Sequence, residues 1–204
     1  MKLTSTYLAF VAAILLSSCK PNSLQLKNGD LIFQTSRSSQ SKAIQLATKS
    51  NYSHMGIILT QNGKQMVYEA VGPVQFTPIS NWIKRGEGGH FVVKRLTNAN
   101  TILTSQNIAK LDSVAVSFKG RPYDLLFEWS DEKLYCSELV WKMYDRALNI
   151  QIGELQKLGE FDLSNPLVRD KMKQRYGDAI PLGESVISPE QMFQSSLLET
   201  VYQR

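Results

Sequence analysis

Cysteine and histidine are scarce in this sequence, which has two of each in 204 residues. A zinc site needs three or four protein ligands at suitable spacing, and these four side chains do not have such spacing. The sequence also has no internal repeat, no low-complexity tract and no nucleotide or haem motif. We therefore expect neither a metal nor a cofactor.

Positive charge is in only mild excess, with a formal net charge of +5 and a pI near 9.1. The basic residues are scattered, and aromatic residues do not alternate with them as they do in nucleic-acid platforms. This pattern predicts no nucleic-acid partner and a weak attraction to anionic surfaces such as a membrane or cell wall. The length suits one domain with its own core.

The one long apolar run lies at the N-terminus, where residues 7–16 follow the positively charged Met1-Lys2. The run is too short to span a bilayer and is typical of a secretory signal segment. Leu16-Ser17-Ser18-Cys19 at its end resembles the bacterial lipobox, in which the cysteine is acylated after cleavage. The alternative is an ordinary signal peptide with a coincidental cysteine.

These features divide the chain into three parts. We predict a lipoprotein signal peptide over residues 1–18, a lipidated N-terminus and tether over 19–26 with Cys19 as the lipidation site, and a single globular domain over 27–204. Two or more acyl chains give stable membrane anchoring. The predicted location is therefore the bacterial cell envelope, as an exported lipoprotein that is anchored on the periplasmic side or at the cell surface.

If Cys19 carries lipid, Cys136 has no disulfide partner. Apolar residues recur at 136, 139, 140, 143, 144 and 147, which is helical spacing, and turn residues upstream predict that this helix begins near Tyr135. The positive end of a helix dipole stabilises a thiolate, so Cys136 is a candidate nucleophile. The alternative is a small buried hydrophobic residue.

A β-hairpin is predicted around Asn62-Gly63, with strands over 54–60 and 64–71. A two-residue loop fixes the register so that His54 and Glu69 become diagonal neighbours on one face, about 7 Å apart at the backbone. A slip of one residue would put them on opposite faces. A carboxylate in this position fixes the histidine tautomer and raises the pKa of the imidazole.

Other elements are predicted more briefly from periodicity and turn residues. They are a strand over 31–33, a helix over 38–49 capped by Ser38 or Ser39, an edge strand over 74–79, a strand over 90–96, one amphipathic helix over 101–118, a short helix after Ser188, and a return of residues 201–202 to the sheet.

Six segments in order resemble one family of enzymes. They are Gly29-Asp30-Leu31-Ile32, Ser53-His54-Met55-Gly56-Ile57, Val67-Tyr68-Glu69-Ala70, Gly120-Arg121-Pro122-Tyr123-Asp124, Tyr135-Cys136-Ser137-Glu138-Leu139-Val140 and Ser188-Pro189-Glu190. The family is the permuted papain-like cysteine hydrolases of the YiiX/YebB-like group, relatives of the NlpC-type cell-wall peptidases.

The resemblance implies an α+β fold, circularly permuted relative to papain, in which an antiparallel sheet packs on a central helix that bears the cysteine. It implies Cys136 as nucleophile, His54 as base and Glu69 as the residue that orients the histidine. It also implies that Tyr123 and Asp124 line a substrate pocket, with Asp124 holding an ammonium group and Tyr123 assisting the oxyanion. Turn chemistry after a proline is the alternative for this pair. Tyr135 flanks the nucleophile or simply packs.

The predicted function is that of a Cys-His-Glu hydrolase. The first reading is an amidase or peptidase acting on short cell-wall or free peptides through an acyl-enzyme, and a narrow polar cleft with Asp124 exposed would favour it. The second is a lipid-directed acyl hydrolase or acyltransferase, which an open apolar groove would favour. The third is a non-catalytic ligand-binding lipoprotein, which a buried, unreactive Cys136 would favour. The expected partners are a small peptide or acyl substrate, and a membrane through the N-terminal anchor.

Overall fold

The computed structural model describes residues 24–204. The predicted signal segment and the lipidation site Cys19 lie outside the described residues, as does most of the predicted tether.

The centre of the fold is a six-stranded antiparallel sheet with the strand order β4-β3-β2-β1-β5-β8. Its strands are β1 (Leu31–Gln34), β2 (His54–Gln61), β3 (Lys64–Ala70), β4 (Val74–Pro78), β5 (Val92–Leu96) and β8 (Leu198–Gln203). A separate two-stranded sheet is formed by β6 (Gln156–Lys157) and β7 (Ser185–Val186). The helices are α1 (Ser41–Thr48), α2 (Ile79–Arg85), α3 (Ala99–Ile102), α4 (Ser105–Phe118), α5 (Cys136–Leu148), α6 (Pro166–Tyr176) and α7 (Pro189–Phe193).

The hairpin of β2 and β3 has the predicted register, from Ile57 opposite Tyr68 to the pair that flanks the turn. Asn62 and Gly63 have positive φ angles of 50° and 72°, as a type I′ turn requires. The predicted hairpin is confirmed, and with it the common face of His54 and Glu69.

Different helices pack on the two faces of the sheet. Met55, Ile57 and Leu59 face the main core, which includes Leu139 and Tyr144 of α5. The alternate residues of the sheet form a second cluster with Trp82 of α2; they include Ile32, Ile58 and Val67. A third, smaller cluster joins α1 to α6 beside the sheet. The predicted α+β architecture, with an antiparallel sheet packed against helices, is confirmed.

Helix α5 begins where predicted, with Tyr135 as its N-cap. Its first turn is fixed by Glu138, whose carboxylate accepts a hydrogen bond from the Tyr135 backbone N–H and binds Lys142 Nζ at 2.7 Å. The edge strand β4, the serine-capped helix α7 and the return of β8 to the sheet are also confirmed.

Two local predictions are wrong. The amphipathic stretch over 101–118 is not one helix, because Thr104 accepts a hydrogen bond from Asn107 N and starts a new helix, α4, after the short α3. Helix α1 is not capped by Ser38 or Ser39. It starts at Ser41 with Gln40 at the N-cap and has no side-chain cap.

Among residues 24–204, no helix combines the length and the apolar character that crossing a membrane would take.

Gly56 provides a test of how tightly the hairpin is packed around Glu69. A Cβ atom at residue 56 would lie 2.5 Å from Val67 Cγ1, 2.9 Å from the Tyr68 carbonyl oxygen and 3.4 Å from Glu69 Cβ. Gly56→Ala should therefore lower the free energy of unfolding by about 1–3 kcal/mol, measured by urea denaturation. Gly72→Ala is the control, since a Cβ there meets nothing within 4 Å. Equal effects of the two substitutions would contradict the predicted close packing.

Candidate active site

Cys136 is the first residue of α5, and only 3% of its surface is exposed. Its thiol is free and lies at the positive end of the helix dipole, where a thiolate is favoured. Backbone N–H groups in the first turn of a helix have no partner within the helix. The N–H of Cys136 therefore lies beside the sulfur as a possible hydrogen-bond donor to an oxyanion.

His54 begins β2 and binds Glu69 of β3, with 2.6 Å between Nε2 and the carboxylate oxygen Oε2. Both side chains are buried. The other oxygen of Glu69 binds Arg85 Nη2 from the end of α2, and the hydroxyl of Thr77 adds a further hydrogen bond. Trp82 stacks on the imidazole with ring centroids 6.1 Å apart.

Cys136 is the second group that acts on the imidazole, through a hydrogen bond and through its charge. Because Glu69 holds Nε2, Nδ1 is the nitrogen left for the sulfur. Burial lowers the pKa of His54, but the hydrogen bonds with Cys136 and Glu69 and the charges of these groups outweigh burial and raise the pKa to about 9. The structure therefore brings together the three side chains that the sequence suggested.

Glu69 stays ionised although it is buried. Burial raises the pKa of its carboxyl group, but the hydrogen bonds from His54 and Thr77 and the charges of His54 and Arg85 hold it below the usual range. At neutral pH the carboxylate therefore faces a protonated imidazole, and this pairing orients the ring.

Arg85, Thr77 and Trp82 were not identified from the sequence as parts of the site. Arg85 stands directly before the glycine-rich run of residues 86–89 in the sequence, and it is the last residue of α2. Trp82 and Arg85 are three residues apart and so share a face of a helix, which is the signal that could have placed them against the sheet.

The three predicted substrate-binding residues have different surroundings. Asp124 is fully buried and accepts hydrogen bonds from the backbone N–H groups of two later residues, Leu126 at 2.7 Å and Glu128 at 2.6 Å. These contacts favour the turn-chemistry alternative for Asp124. Tyr135 is buried and its hydroxyl accepts from Ile187 N at 3.0 Å. The hydroxyl of Tyr123 accepts from Gln40 Nε2 at 2.8 Å.

Two concave surfaces lie on either side of Tyr123. The first, which we call the apolar pocket, contains Cys136 and is bounded mainly by apolar side chains of α1 and α6 and of the segments between α5 and α7. They include Ala43, Ala47, Leu158, Val168 and Met172, and Phe127 from the loop before α5 also lines the pocket. It has an empty volume of ≈ 720 Å³, part of it open to solvent.

The second surface, the polar cleft, contains His54 and has an empty volume of ≈ 1230 Å³, again partly open to solvent. Its other lining residues include Gln34, Ser36, Arg37, Ser53 and Arg85. Gln40 and Tyr123 line both surfaces. Because these two side chains are hydrogen-bonded to each other, they form a partition between the pocket and the cleft.

Comparison with known proteins gives concordant results. Residues 25–202 match the model of a family described as permuted papain-like amidase enzymes, the YaeF/YiiX, C92 family. The chain is 51% identical over 177 residues to the uncharacterized protein YiiX of Escherichia coli strain K12, covering 87% of this chain and 86% of the relative. It also resembles the crystal structure of a protein titled metalloprotein YiiX from E. coli O157:H7, with 52% identity, a TM-score of 0.84 and coverage of 89% of this chain and 99% of that one.

The match extends over nearly all of the described residues, so the permuted papain-like fold expected from the sequence is confirmed. The chain therefore belongs to the permuted papain-like amidase family, a family of papain-like cysteine hydrolases.

Proposed function

We propose that this protein hydrolyses an amide or ester bond next to an apolar acyl group, through an acyl-thioester on Cys136. The observation that carries the proposal is the apolar pocket, which has the nucleophile in its wall. An acyl chain in this pocket places its carbonyl carbon beside the sulfur. The amidase description of the family supports the hydrolytic chemistry.

The surroundings of Asp124 weigh against a peptide substrate with a free amine. Its carboxylate is buried and bound by backbone N–H groups, so it does not offer a counter-ion to an ammonium group. The charged side chains that line the apolar pocket are Lys171 and Arg175, and both are cations. The site therefore supports the acyl-directed reading better than the short-peptide reading.

In the proposed mechanism, the Cys136 thiolate attacks the carbonyl carbon while His54 is protonated. The negative oxygen accepts a hydrogen bond from the Cys136 backbone N–H, and the Tyr123 hydroxyl at the partition is the candidate for the second donor. The C–N or C–O bond then breaks, and the leaving group takes the proton from His54. Water attacks the thioester, gives a proton to His54, and releases the carboxylic acid and the thiolate.

Glu69 and Arg85 act through His54 in this mechanism. Glu69 holds Nε2, so Nδ1 is directed at the sulfur, and the carboxylate stabilises the imidazolium. Arg85 occupies the second oxygen of Glu69 and keeps the carboxylate in place.

One relative is titled a metalloprotein, and we asked whether the residues here fit a metal ion. Within residues 24–204, no group of three or more His, Cys, Asp and Glu side chains is placed to hold one. His54 and Cys136 supply one nitrogen and one sulfur, which is short of the three protein ligands of a catalytic zinc site. A resident metal does not fit this set, and no step of the mechanism uses one.

We also propose that the protein is an exported lipoprotein of the bacterial envelope, anchored through Cys19. The support is the charged start, the apolar run and the lipobox-like end of the N-terminal segment. An anchor of two or more acyl chains would keep an acyl hydrolase at the surface that contains its substrate.

Acyl-chain length tests the proposed function. With a series of N-acyl glycines, kcat/KM should rise by about fourfold per methylene group until the pocket is filled, because each buried methylene contributes about 0.8 kcal/mol. Ala47→Phe should shorten the preferred chain, since residue 47 lines the pocket. Cys136→Ala should abolish turnover, and iodoacetamide should label the wild type on the peptide that contains Cys136, which mass spectrometry distinguishes from the peptide with Cys19. Product formation is measured by mass spectrometry.

Ala109→Phe is the matched control, because residue 109 is an exposed alanine on α4, outside the lining of the pocket. Turnover that survives Cys136→Ala, or a rate that is independent of chain length, would contradict the proposal. A wild-type Cys136 that iodoacetamide does not label would favour the non-catalytic reading.

The lipid anchor is tested in bacteria that express the full chain and are fed an alkyne-tagged fatty acid. The wild type should carry the tag and sediment with membranes, and Cys19→Ala should lose the tag. Cys136→Ser is the control and should keep it. An untagged wild type, or a tagged Cys19→Ala protein, would rule out lipidation at residue 19.

The charge state of His54 is tested by NMR titration of ¹⁵N-histidine-labelled protein, with His90→Gln to assign the signals. The midpoint for His54 should lie near pH 9, and Glu69→Gln should lower it because the variant removes an anion that favours the imidazolium. Because the pKa is raised in the folded state, this pairing stabilises the fold fully below about pH 6.5 and ceases to do so as the pH rises through about 9. A wild-type midpoint near 6.5 would refute the proposed ion pair.

A further inference from the structure

The positions of the nucleophile and the acid decide where the two halves of a substrate lie. Cys136 lines the apolar pocket and His54 lines the polar cleft. The acyl group stays bonded to the sulfur after the first step, whereas the leaving group receives its proton from the imidazole. The leaving group must therefore lie on the side of the polar cleft.

The charged groups that line the polar cleft are cationic. Arg37 and Arg85 contribute side chains to its wall, together with His54, and no aspartate or glutamate is among the lining residues. Glu69 beneath the wall compensates for one positive charge through its ion pair with Arg85. Arg37 is exposed, and among the described residues the one hydrogen bond of its guanidinium is to the backbone carbonyl of Lys84.

The N-terminus of helix α1 adds to the positive potential. Residues 38–40 line the cleft directly before this eight-residue helix. The N-cap Gln40 makes no capping hydrogen bond with its side chain, and the first turn contains no acidic residue. The Ser41 N–H is bonded to the Ser38 carbonyl oxygen, so the later N–H groups of the first turn and the helix dipole are what favour an anion at this end.

Unsatisfied buried groups in the same cleft point to a ligand. Gln34 is 1% exposed and lies opposite His54 in the pairing of β1 with β2. Neither its Oε1 nor its Nε2 has a hydrogen-bond partner, and the same holds for Nε of Arg85. These are three of the four such buried side-chain atoms among residues 24–204, and both residues line the polar cleft. Buried polar atoms normally have partners, so this concentration needs an explanation.

We propose that the polar cleft binds an anionic oxyacid group, a carboxylate or a phosphate, on the leaving group of the substrate. Arg37 and Arg85 supply its positive charge, the N-terminus of α1 supplies backbone donors, and Gln34 supplies an unused amide. The substrate class is then an acyl chain joined through an amide or ester bond to a small anionic head. This inference rests on the proposed function and narrows it.

Three substrates with the same octanoyl chain and the same scissile amide test the inference. N-octanoylglycine carries a carboxylate, N-octanoyl-aminomethylphosphonate carries a phosphonate, and N-octanoylglycinamide is neutral. At low salt, the wild type should cleave at least one anionic substrate with a kcat/KM about tenfold above that of the neutral one, as a hydrogen bond to a charged group requires. The ranking of carboxylate and phosphonate identifies which anion the cleft prefers.

Arg37→Gln should lower the preference for the anionic substrates at least threefold. Arg169→Gln is the control, because it removes one exposed positive charge from α6 outside the lining of both surfaces. Equal kcat/KM values for the anionic and neutral substrates in the wild type would overturn the inference and leave the proposed function intact. A preference that falls equally in both variants would also overturn it, since net charge alone would then account for the effect.

If none of the three substrates is cleaved, the proposed function fails and binding decides the inference separately. Calorimetry with the Cys136→Ala protein measures the affinity for each intact compound. Tighter binding of an anionic compound than of the neutral one, with the difference reduced by Arg37→Gln, supports an anion site. Equal affinities overturn it.

Discussion

The contact between His54 and Glu69 is the constraint on which the site depends. It brings a carboxylate into the protein interior, where an ionised group without partners costs several kcal/mol. The structure offsets this cost by giving Glu69 three partners: the imidazole, Arg85 and Thr77. The contact also requires the register of the β2–β3 hairpin, because a slip of one residue would direct the two side chains to opposite faces.

The thiol is held against this pair by the anchoring of α5. Glu138 in the first turn binds Lys142, which also contacts the Ser130 carbonyl oxygen at 2.5 Å and Asp131 at 3.0 Å. Further along, the hydroxyl of Tyr144 donates to the carbonyl oxygen of Gly29, close to β1. The start of the helix is therefore tied to the loop before it, and its middle to the segment that leads into the sheet. Sulfur and imidazole are thus positioned by separate elements, both fixed before a substrate binds, which lowers the entropic cost of reaching a reactive geometry.

The parts of the site that were predictable from sequence depend on local chemistry. Asn62-Gly63 specifies a tight turn, and this turn determines where Glu69 lies relative to His54. Apolar spacing places Cys136 at the start of a helix. Arg85 was not predicted, since its spacing from Trp82 indicates a shared helix face but does not by itself show how α2 packs on the sheet. The division of residues 101–118 into two helices was also not predicted. The apolar pattern there is continuous, and the new helix begins only because the side chain of Thr104 caps its N-terminus.

The partition at Tyr123 links the two halves of the site. The side-chain amide of Gln40 makes two hydrogen bonds: its Nε2 donates to the Tyr123 hydroxyl, and its Oε1 accepts from Arg175 of α6 at 2.6 Å. The start of α1, helix α6 and the loop before α5 therefore meet beside the nucleophile. Cys136 is 3% exposed beneath them, which leaves the apolar pocket and the polar cleft as the two approaches to the catalytic pair. A bond that is to be cleaved must lie between sulfur and imidazole, so its two substituents must extend in opposite directions past Tyr123. Such a site selects its substrate at both ends. The apolar end is recognised by its burial in the apolar pocket, and the other end is recognised by its charge in the polar cleft.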